Sequence, residues 1–184
     1  YVIKLVGDVR EVESGISAEV SPTFLPKNHP LASVSDVMNA VFVESIGIGE
    51  SMYYGPGAGQ KPTATSVLAD IIRIARRLSD GNVGKPFNEF RRDLPLANPA
   101  DVKSNYYFAL DTPDEKGKIL HLSEIFNSED ISFEQVLQQK ANGTTARIVV
   151  ITHAMSKTQL KAVTEKLEAA EDFTVVNTLK VLSN

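Results

Sequence analysis

With 184 residues, the chain has room for one ordinary domain and a small one. Its 42% hydrophobic and 23% charged residues are those of a globular protein, and no apolar run approaches the roughly 18 residues that cross a bilayer. A net charge of -4 with scattered basic residues argues against nucleic-acid binding, zero cysteines exclude disulfides and thiolate zinc sites, and His29, His121 and His153 are too widely spaced for a paired metal site.

Val2-Ile3-Lys4-Leu5-Val6 reads as a strand that opens directly behind Tyr1. With no initiator methionine and no signal-peptide pattern, the chain is expected to start inside a domain, as the tail of a larger protein. Ile16, Ala18 and Val20 alternate with Ser17, Glu19 and Ser21, the period of two that marks a half-buried strand. Ser21-Pro22 and Pro26-Lys27-Asn28-His29-Pro30 punctuate the chain, because proline removes a ladder donor and restricts its predecessor. Asn39–Glu44 and Met52–Tyr54 are further strands. Strands without a covering helix leave an apolar face, so the first third is expected to pack on other sequence or on another subunit.

Gly55-Pro56-Gly57-Ala58-Gly59-Gln60-Lys61-Pro62 is the one stretch dense in glycine and proline. A helix is expected from Pro62 to Leu78, with Ala64, Val67, Leu68, Ile71, Ile72, Ala75 and Leu78 on one face. Asp70, Arg73, Arg76 and Arg77 take the other, the arginines lying toward the end where the helix dipole favours cations. Residues 79–104 hold Gly81, Gly84, Pro86, Pro95 and Pro99 with little periodicity and read as a linker with a short strand or turn near Phe87–Phe90.

From residue 105 the order is strand (Tyr106–Leu110), helix (Ile119–Asn127), strand (Ile131–Gln138), turn (Asn142-Gly143), strand (Arg147–Thr152), helix (Ser156–Ala170) and strand (Thr174–Leu182). Ser156 suits the N-cap of the second helix, and Leu160, Val163, Leu167 and Ala170 share a face. This βαββαβ order predicts a four-stranded antiparallel sheet with two helices on one side. A bare sheet face of that kind invites dimerisation.

The loop Gly55–Gly59 joins a strand to a helix, where free amides at the helix N-terminus suit an anion. It is no P-loop, since Gln60-Lys61-Pro62 replaces the Gly-Lys-Ser/Thr ending, and its third glycine falls one place early for a dinucleotide fingerprint. On spacing alone the glycines serve a tight turn. His29 reads as structural or solvent-exposed, and His121 and His153 as ordinary structural positions.

Ser21-Pro22-Thr23, Pro26-Lys27-Asn28-His29-Pro30-Leu31-Ala32, Asn39-Ala40-Val41, Tyr54-Gly55-Pro56-Gly57-Ala58-Gly59, Pro62-Thr63-Ala64-Thr65-Ser66-Val67 and Asp70-Ile71 resemble, in order, the end of the catalytic region of homoserine dehydrogenase, over roughly residues 1–78. The resemblance implies an NAD(P)-dependent oxidoreductase that interconverts homoserine and aspartate 4-semialdehyde in threonine, methionine and isoleucine biosynthesis. It places Gly57, Ala58 and Gly59 against cofactor through their backbone; Thr63, at the helix start, adds a hydroxyl by position. The family's dinucleotide-binding domain and its aspartate and lysine find no match here. No catalytic residue is therefore expected in this chain, and alone it is expected to be inactive and to hold no cofactor.

Tyr106–Pro113, Ile131-Ser132-Phe133 with Gln138, and Ile148–His153 resemble an ACT domain, the small regulatory module of amino-acid biosynthetic enzymes. That resemblance implies an effector, L-threonine, at Asp111, Thr112, Pro113, Gly117, Lys118 and Ile119. The family's compact Asp-x-Pro-Gly turn is lengthened here to Asp111-Thr112-Pro113-Asp114-Glu115-Lys116-Gly117-Lys118, whose acidic residues repel a carboxylate while Lys116 and Lys118 offset them.

The expected fold class is α+β. A partial mixed or antiparallel sheet with one long helix (1–80) is followed by a linker (81–104) and a ferredoxin-like ACT domain (105–184). A cytoplasmic homo-oligomer, assembled through the first-third sheet and the ACT domain, completes the expectation. The alternative is a non-catalytic ACT-type amino-acid-binding or oligomerisation module; the glycine loop and its helix weigh against it.

Overall fold

The computed structural model describes residues 1–82, 92–139 and 144–182. In chain order the elements are β1 (Val2–Val12), β2 (Gly15–Leu25), a 3-10 turn (Pro30–Ser33), β3 (Met38–Ser45), β4 (Gly49–Pro56), α1 (Gln60–Ser79), β5 (Lys103–Pro113), α2 (Lys118–Asn127), β6 (Phe133–Gln139), β7 (Thr145–Thr152), β8 (Met155–Ser156), α3 (Lys157–Ala169) and β9 (Thr174–Val181). The strand or turn expected near Phe87–Phe90 and the turn at Asn142-Gly143 lie outside the described residues. Two compact units emerge, one of residues 1–27 and 94–184, the other of residues 28–93.

In the first unit the main sheet is mixed, in the order β1-β2-β9-β5-β7-β6. The pairs β9–β5, β5–β7 and β7–β6 are antiparallel. Phe108 and Leu110 of β5 and Ile148 and Val150 of β7 project to one side of it. There they join Leu122 and Phe126 of α2 and Val163 and Leu167 of α3 in one buried cluster. Phe126 is its centre: its ring meets Phe108 edge-on at 5.2 Å and Phe133 at 4.9 Å.

Local chemistry explains where α3 begins. Ser156 Oγ accepts the Gln159 amide at 3.2 Å, and Gln159 Oε1 accepts the Ser156 amide at 2.9 Å, a reciprocal capping box at the expected N-cap. Gln159 Nε2 also donates to Glu129 O at 2.8 Å, fastening this helix start to the turn after α2.

The hairpin β1–β2 pairs from Val2↔Leu25 to Val12↔Gly15. It joins the sheet by a short parallel seam, Thr23↔Lys180 and Phe24↔Val181, extended by the Leu182 amide on Phe24 O at 2.8 Å. The compact units thus divide differently from the expected segments 1–80, 81–104 and 105–184, because β2 finds its neighbour in β9, at the far end of the chain. Nor are residues 94–97 a loose connection. The Ile16 amide donates to Pro95 O at 2.8 Å and the Ala97 amide to Ile16 O at 2.9 Å, and a Cβ on Gly15 (φ 143°) would sit 2.2 Å from Pro95 O. Only glycine permits that approach.

Burial on this hairpin runs opposite to the expectation. Val20 is 72% exposed, whereas Ser17 and Thr23 are buried. The register sets Ile3, Leu5 and Val9 opposite Phe24, Pro22 and Ala18, so one face is apolar, and Leu5 and Val9 on it are open. The other face carries Asp8, Arg10, Ser17 and Glu19, and it meets Lys157 at the start of α3 and Lys180 of β9. Alternation identified a strand, but the side turned toward the rest of this unit is the polar one.

In the second unit β3 and β4 pair from Met38↔Pro56 to Ser45↔Gly49. The helix α1 follows, two residues longer at its start than expected, and none of its residues is buried. Its apolar stripe, Val67, Leu68, Ile71, Ile72 and Leu78, is exposed. His29 has a structural role: its Nδ1 accepts the Leu31 amide at 3.1 Å, capping the 3-10 turn, and its ring packs 5.0 Å from Phe42.

Candidate functional site

The loop between β4 and α1 holds Gly57, Ala58 and Gly59, three of the four residues expected at the cofactor. Gly57 donates its amide to Val37 O at 2.8 Å, and a Cβ there would fall 1.3 Å from Asn39 Nδ2. Gly59 is the N-cap of α1, with φ 126° and ψ 151°, a conformation that belongs essentially to glycine. The first intrahelical bond runs from the Thr63 amide to Gly59 O at 3.1 Å, which leaves the amides of Gln60 and Lys61 ahead of it. Pro62 lacks an amide where the helix has no use for one. No side chain caps Gly59 and no acidic residue stands in the first turn, so the positive end of the helix dipole is unopposed. All four residues, Gly57, Ala58, Gly59 and Thr63, are exposed. The donor set fits a phosphate or another anionic edge of a dinucleotide.

The second candidate lies at the C-terminal end of β5, in a cleft of about 590 Å³ lined in part by Asp111, Thr112 and Pro113, with Glu115, Glu171 and Asp172 on its rim. Gly117, Lys118 and Ile119 do not line it. Gly117 takes a left-handed conformation (φ 90°) as N-cap of α2, with no side-chain cap, and the His121 amide closes the first turn on its carbonyl at 3.0 Å. The amides of Lys118, Ile119 and Leu120 precede that bond.

Electrostatics divide the expected effector residues. Asp111 takes a two-pronged contact from Arg147, Nε to Oδ1 at 2.9 Å and Nη2 to Oδ2 at 3.0 Å, and these bonds hold its carboxyl below the usual range. Lys118 Nζ sits 2.5 Å from Asp172 Oδ1 and 3.4 Å from Glu115 Oε2; the bond it donates to Asp172 raises its pKa. Asp172 is in turn held low by Lys118 and by His121, whose Nδ1 lies 2.8 Å from its other oxygen. Thr112 is 2% exposed and its hydroxyl meets no partner among the described residues, so it sits beneath the surface. Of the two lysines expected to offset the acidic loop, Lys118 is committed to carboxylates and Lys116 does not line the cleft. The rim therefore favours an ammonium group over a carboxylate.

Arg147 and Asp172 escaped the sequence reading. Asp172 lies 51 residues from His121, and Arg147 lies 36 from Asp111. The signal available was indirect: Arg147 opens a β-branched strand paired with β5, and register alone sets it opposite Asp111. Among the described residues no cluster of histidine or carboxylates is placed to hold a metal ion, and no helix is long and apolar enough to cross a membrane.

Residues 1–72 match the family model described as homoserine dehydrogenase. Over all 184 residues the chain is 61% identical to a homoserine dehydrogenase of Lactococcus lactis subsp. lactis, covering 43% of that protein. With the homoserine dehydrogenase of Bacillus subtilis it shares 34% identity over 173 residues, 93% of this chain and 40% of the relative. Among solved structures, a homoserine dehydrogenase from Thiobacillus denitrificans superposes with a TM-score of 0.87 at 29% identity, over 98% of this chain and 42% of that one. By sequence over its whole length and by fold over nearly all of it, the chain is similar to a segment, about two fifths long, of homoserine dehydrogenases.

Proposed function

We propose that the chain is a portion of an NAD(P)-dependent homoserine dehydrogenase, acting in the cytoplasm in amino-acid biosynthesis. In this reading, residues 1–80 complete the cofactor side of the catalytic region, and the β5–β9 module is an ACT domain that receives L-threonine. The observation that carries it is the 61% identity along all 184 residues to a protein of that name. The loop 57–59 supports it independently, with uncapped amides and no acidic neighbour in the first turn of α1. When bound, the nicotinamide supplies or accepts the hydride. This chain's part is to hold the cofactor through the backbone of Gly57, Ala58 and Gly59 and the hydroxyl of Thr63. The proton donor for the developing alkoxide is provided by residues outside this chain.

The order β9-β5-β7-β6 with both helices on one side supports the ferredoxin-like ACT reading. Threonine's ammonium suits the acidic rim, and its carboxylate suits the free amides at the start of α2, which lie outside the cleft lining but adjoin it through the Lys118 bond to Asp172. The exposed apolar faces of β1–β2 and α1 support a homo-oligomer. A turnover assay with aspartate 4-semialdehyde and NADPH tests the catalytic half. The whole protein turns over and the 184-residue chain alone does not; a whole protein silent with both nicotinamide cofactors refutes the reading. Calorimetry with L-threonine tests the regulatory half: heat of binding that disappears in Gly117→Val supports it, and no heat refutes it.

A further inference from the structure

Lys180, in β9, is 7% exposed, and a lysine so buried persists only where carboxylates compensate its charge. Its ammonium meets Asp8 Oδ2 of β1 at 2.5 Å and also Glu19 Oε1 of β2. Glu19 Oε2 is held in turn by Lys157, the first residue of α3. Asp8 Oδ2 also lies 2.9 Å from Arg10 Nε, while the other nitrogens of Arg10 donate to Lys103 O and Ser104 Oγ of β5, both at 3.1 Å. Two carboxylates and three cations from β1, β2, β9 and α3 thus share one site, joined to β5 through Arg10. Burial opposes the charge on Glu19, but Lys157 and Lys180 outweigh it and hold its carboxyl below the usual range. Beside this cluster, backbone pairing between β2 and β9 extends over only two register positions. On the hairpin's apolar face Phe24 meets the Tyr107 ring of β5 at 4.6 Å, but Leu5, Val9 and Val20 are open.

We propose that Lys180 is an ionic latch through which the C-terminal module carries the hairpin Val2–Leu25 as part of its own body, so that a shift of β9 is delivered to residues matched by the dehydrogenase family model. Lys180 is a positioning residue: its ammonium is spent on Asp8 and Glu19, and it does not line the acidic cleft. The step to regulation rests on the reading of the module as an effector domain; the latch itself does not.

Hydrogen exchange on the whole protein, followed by mass spectrometry, tests the latch directly. Lys180→Met leaves Asp8 with Arg10 alone and Glu19 with Lys157 alone, so amides of Val2–Leu25 lose protection by about 100-fold, less than a fully broken buried ion pair would cost, while amides shared by β5 and β7 keep theirs. Should Lys180→Met fail to fold, Glu19→Gln gives the same local pattern, weakened to about tenfold because Asp8 still pairs with Lys180. Equal loss across hairpin and core, or a hairpin unchanged in both variants, overturns the proposal. In the full-length enzyme, Lys180→Met retains turnover and loses its response to L-threonine; a retained response overturns the regulatory step. If the unaltered enzyme ignores threonine, the effector reading has failed, and the exchange pattern still decides the latch.

Discussion

Replacing Gly59 by alanine probes the link between backbone conformation and cofactor binding. At φ 126° and ψ 151° an L-residue is strained by about 1–3 kcal/mol, and its Cβ would lie 3.3 Å from Pro62 Cδ, close enough that the ring must yield by a few tenths of an ångström. The chain can relieve this only by turning residue 59 toward ordinary extended values. That movement displaces Gly59 O from the Thr63 amide it accepts at 3.1 Å and swings loop 57–59 off the helix end. Since α1 has no buried residue in this chain, the helix has little tertiary packing here to oppose the shift. If bound cofactor requires the present conformation, the strain appears as lost affinity. At about 1.4 kcal/mol per decade, 1–3 kcal/mol predicts a KM for NAD(P)H raised by about 5- to 150-fold in Gly59→Ala, with kcat changed far less. Steady-state kinetics on the full-length enzyme decide the matter. A Gly59→Ala enzyme with unaltered KM for both NADH and NADPH refutes the assignment of this loop to the cofactor.

Phe126→Ala removes a fully buried ring that touches Phe108 and Phe133, and chemical denaturation of the β5–β9 module should show a loss of about 3–5 kcal/mol. Thr112→Val substitutes a methyl for a buried hydroxyl that lacks a partner among the described residues, so the same measurement should show unchanged or increased stability, by up to about 2 kcal/mol. Asp111, Asp172 and Glu19 all have folded pKa values held below their unfolded ones. Their contribution is therefore present above the unfolded values and is lost as pH falls through the lowered ones; Tm should decline as pH drops below about 4.5, and Asp111→Asn should flatten that decline.

The C-terminal module was legible because each of its elements satisfies a local rule and the tertiary context agrees with it. Ser156 and Gln159 stand at capping-box spacing, and α3 starts where they demand. Ile148 and Val150 alternate within a β-branched run, and both fall in the core. The glycine loop was legible as a strand-to-helix junction for the same reason, since Gly57, Gly59 and Pro62 each suit one backbone position there. Its chemistry was not. Free helix amides say that an anion suits the place, and only the similarity to named dehydrogenases says which anion.

What escaped was everything set by distant register. Alternation in β2 declares that two faces differ, but it carries no information on which one meets the remainder of the unit. Here the answer is determined by Lys180, more than 150 residues away in sequence, which draws Glu19 and Asp8 inward and so turns Val20 and Leu5 outward. The same holds at the loop after β5, where Lys118, expected to offset the acidic residues, is already held by Asp172 across the module. Turned over, the hairpin would strand Lys180 at about 3–5 kcal/mol, whereas Ile3, Leu5, Val9 and Val20, at about 1.5–3 kcal/mol for each fully exposed side chain, can still be covered by another surface. Hairpin orientation in this fold thus follows the ion cluster, and its apolar face is left for a surface that this unit does not supply.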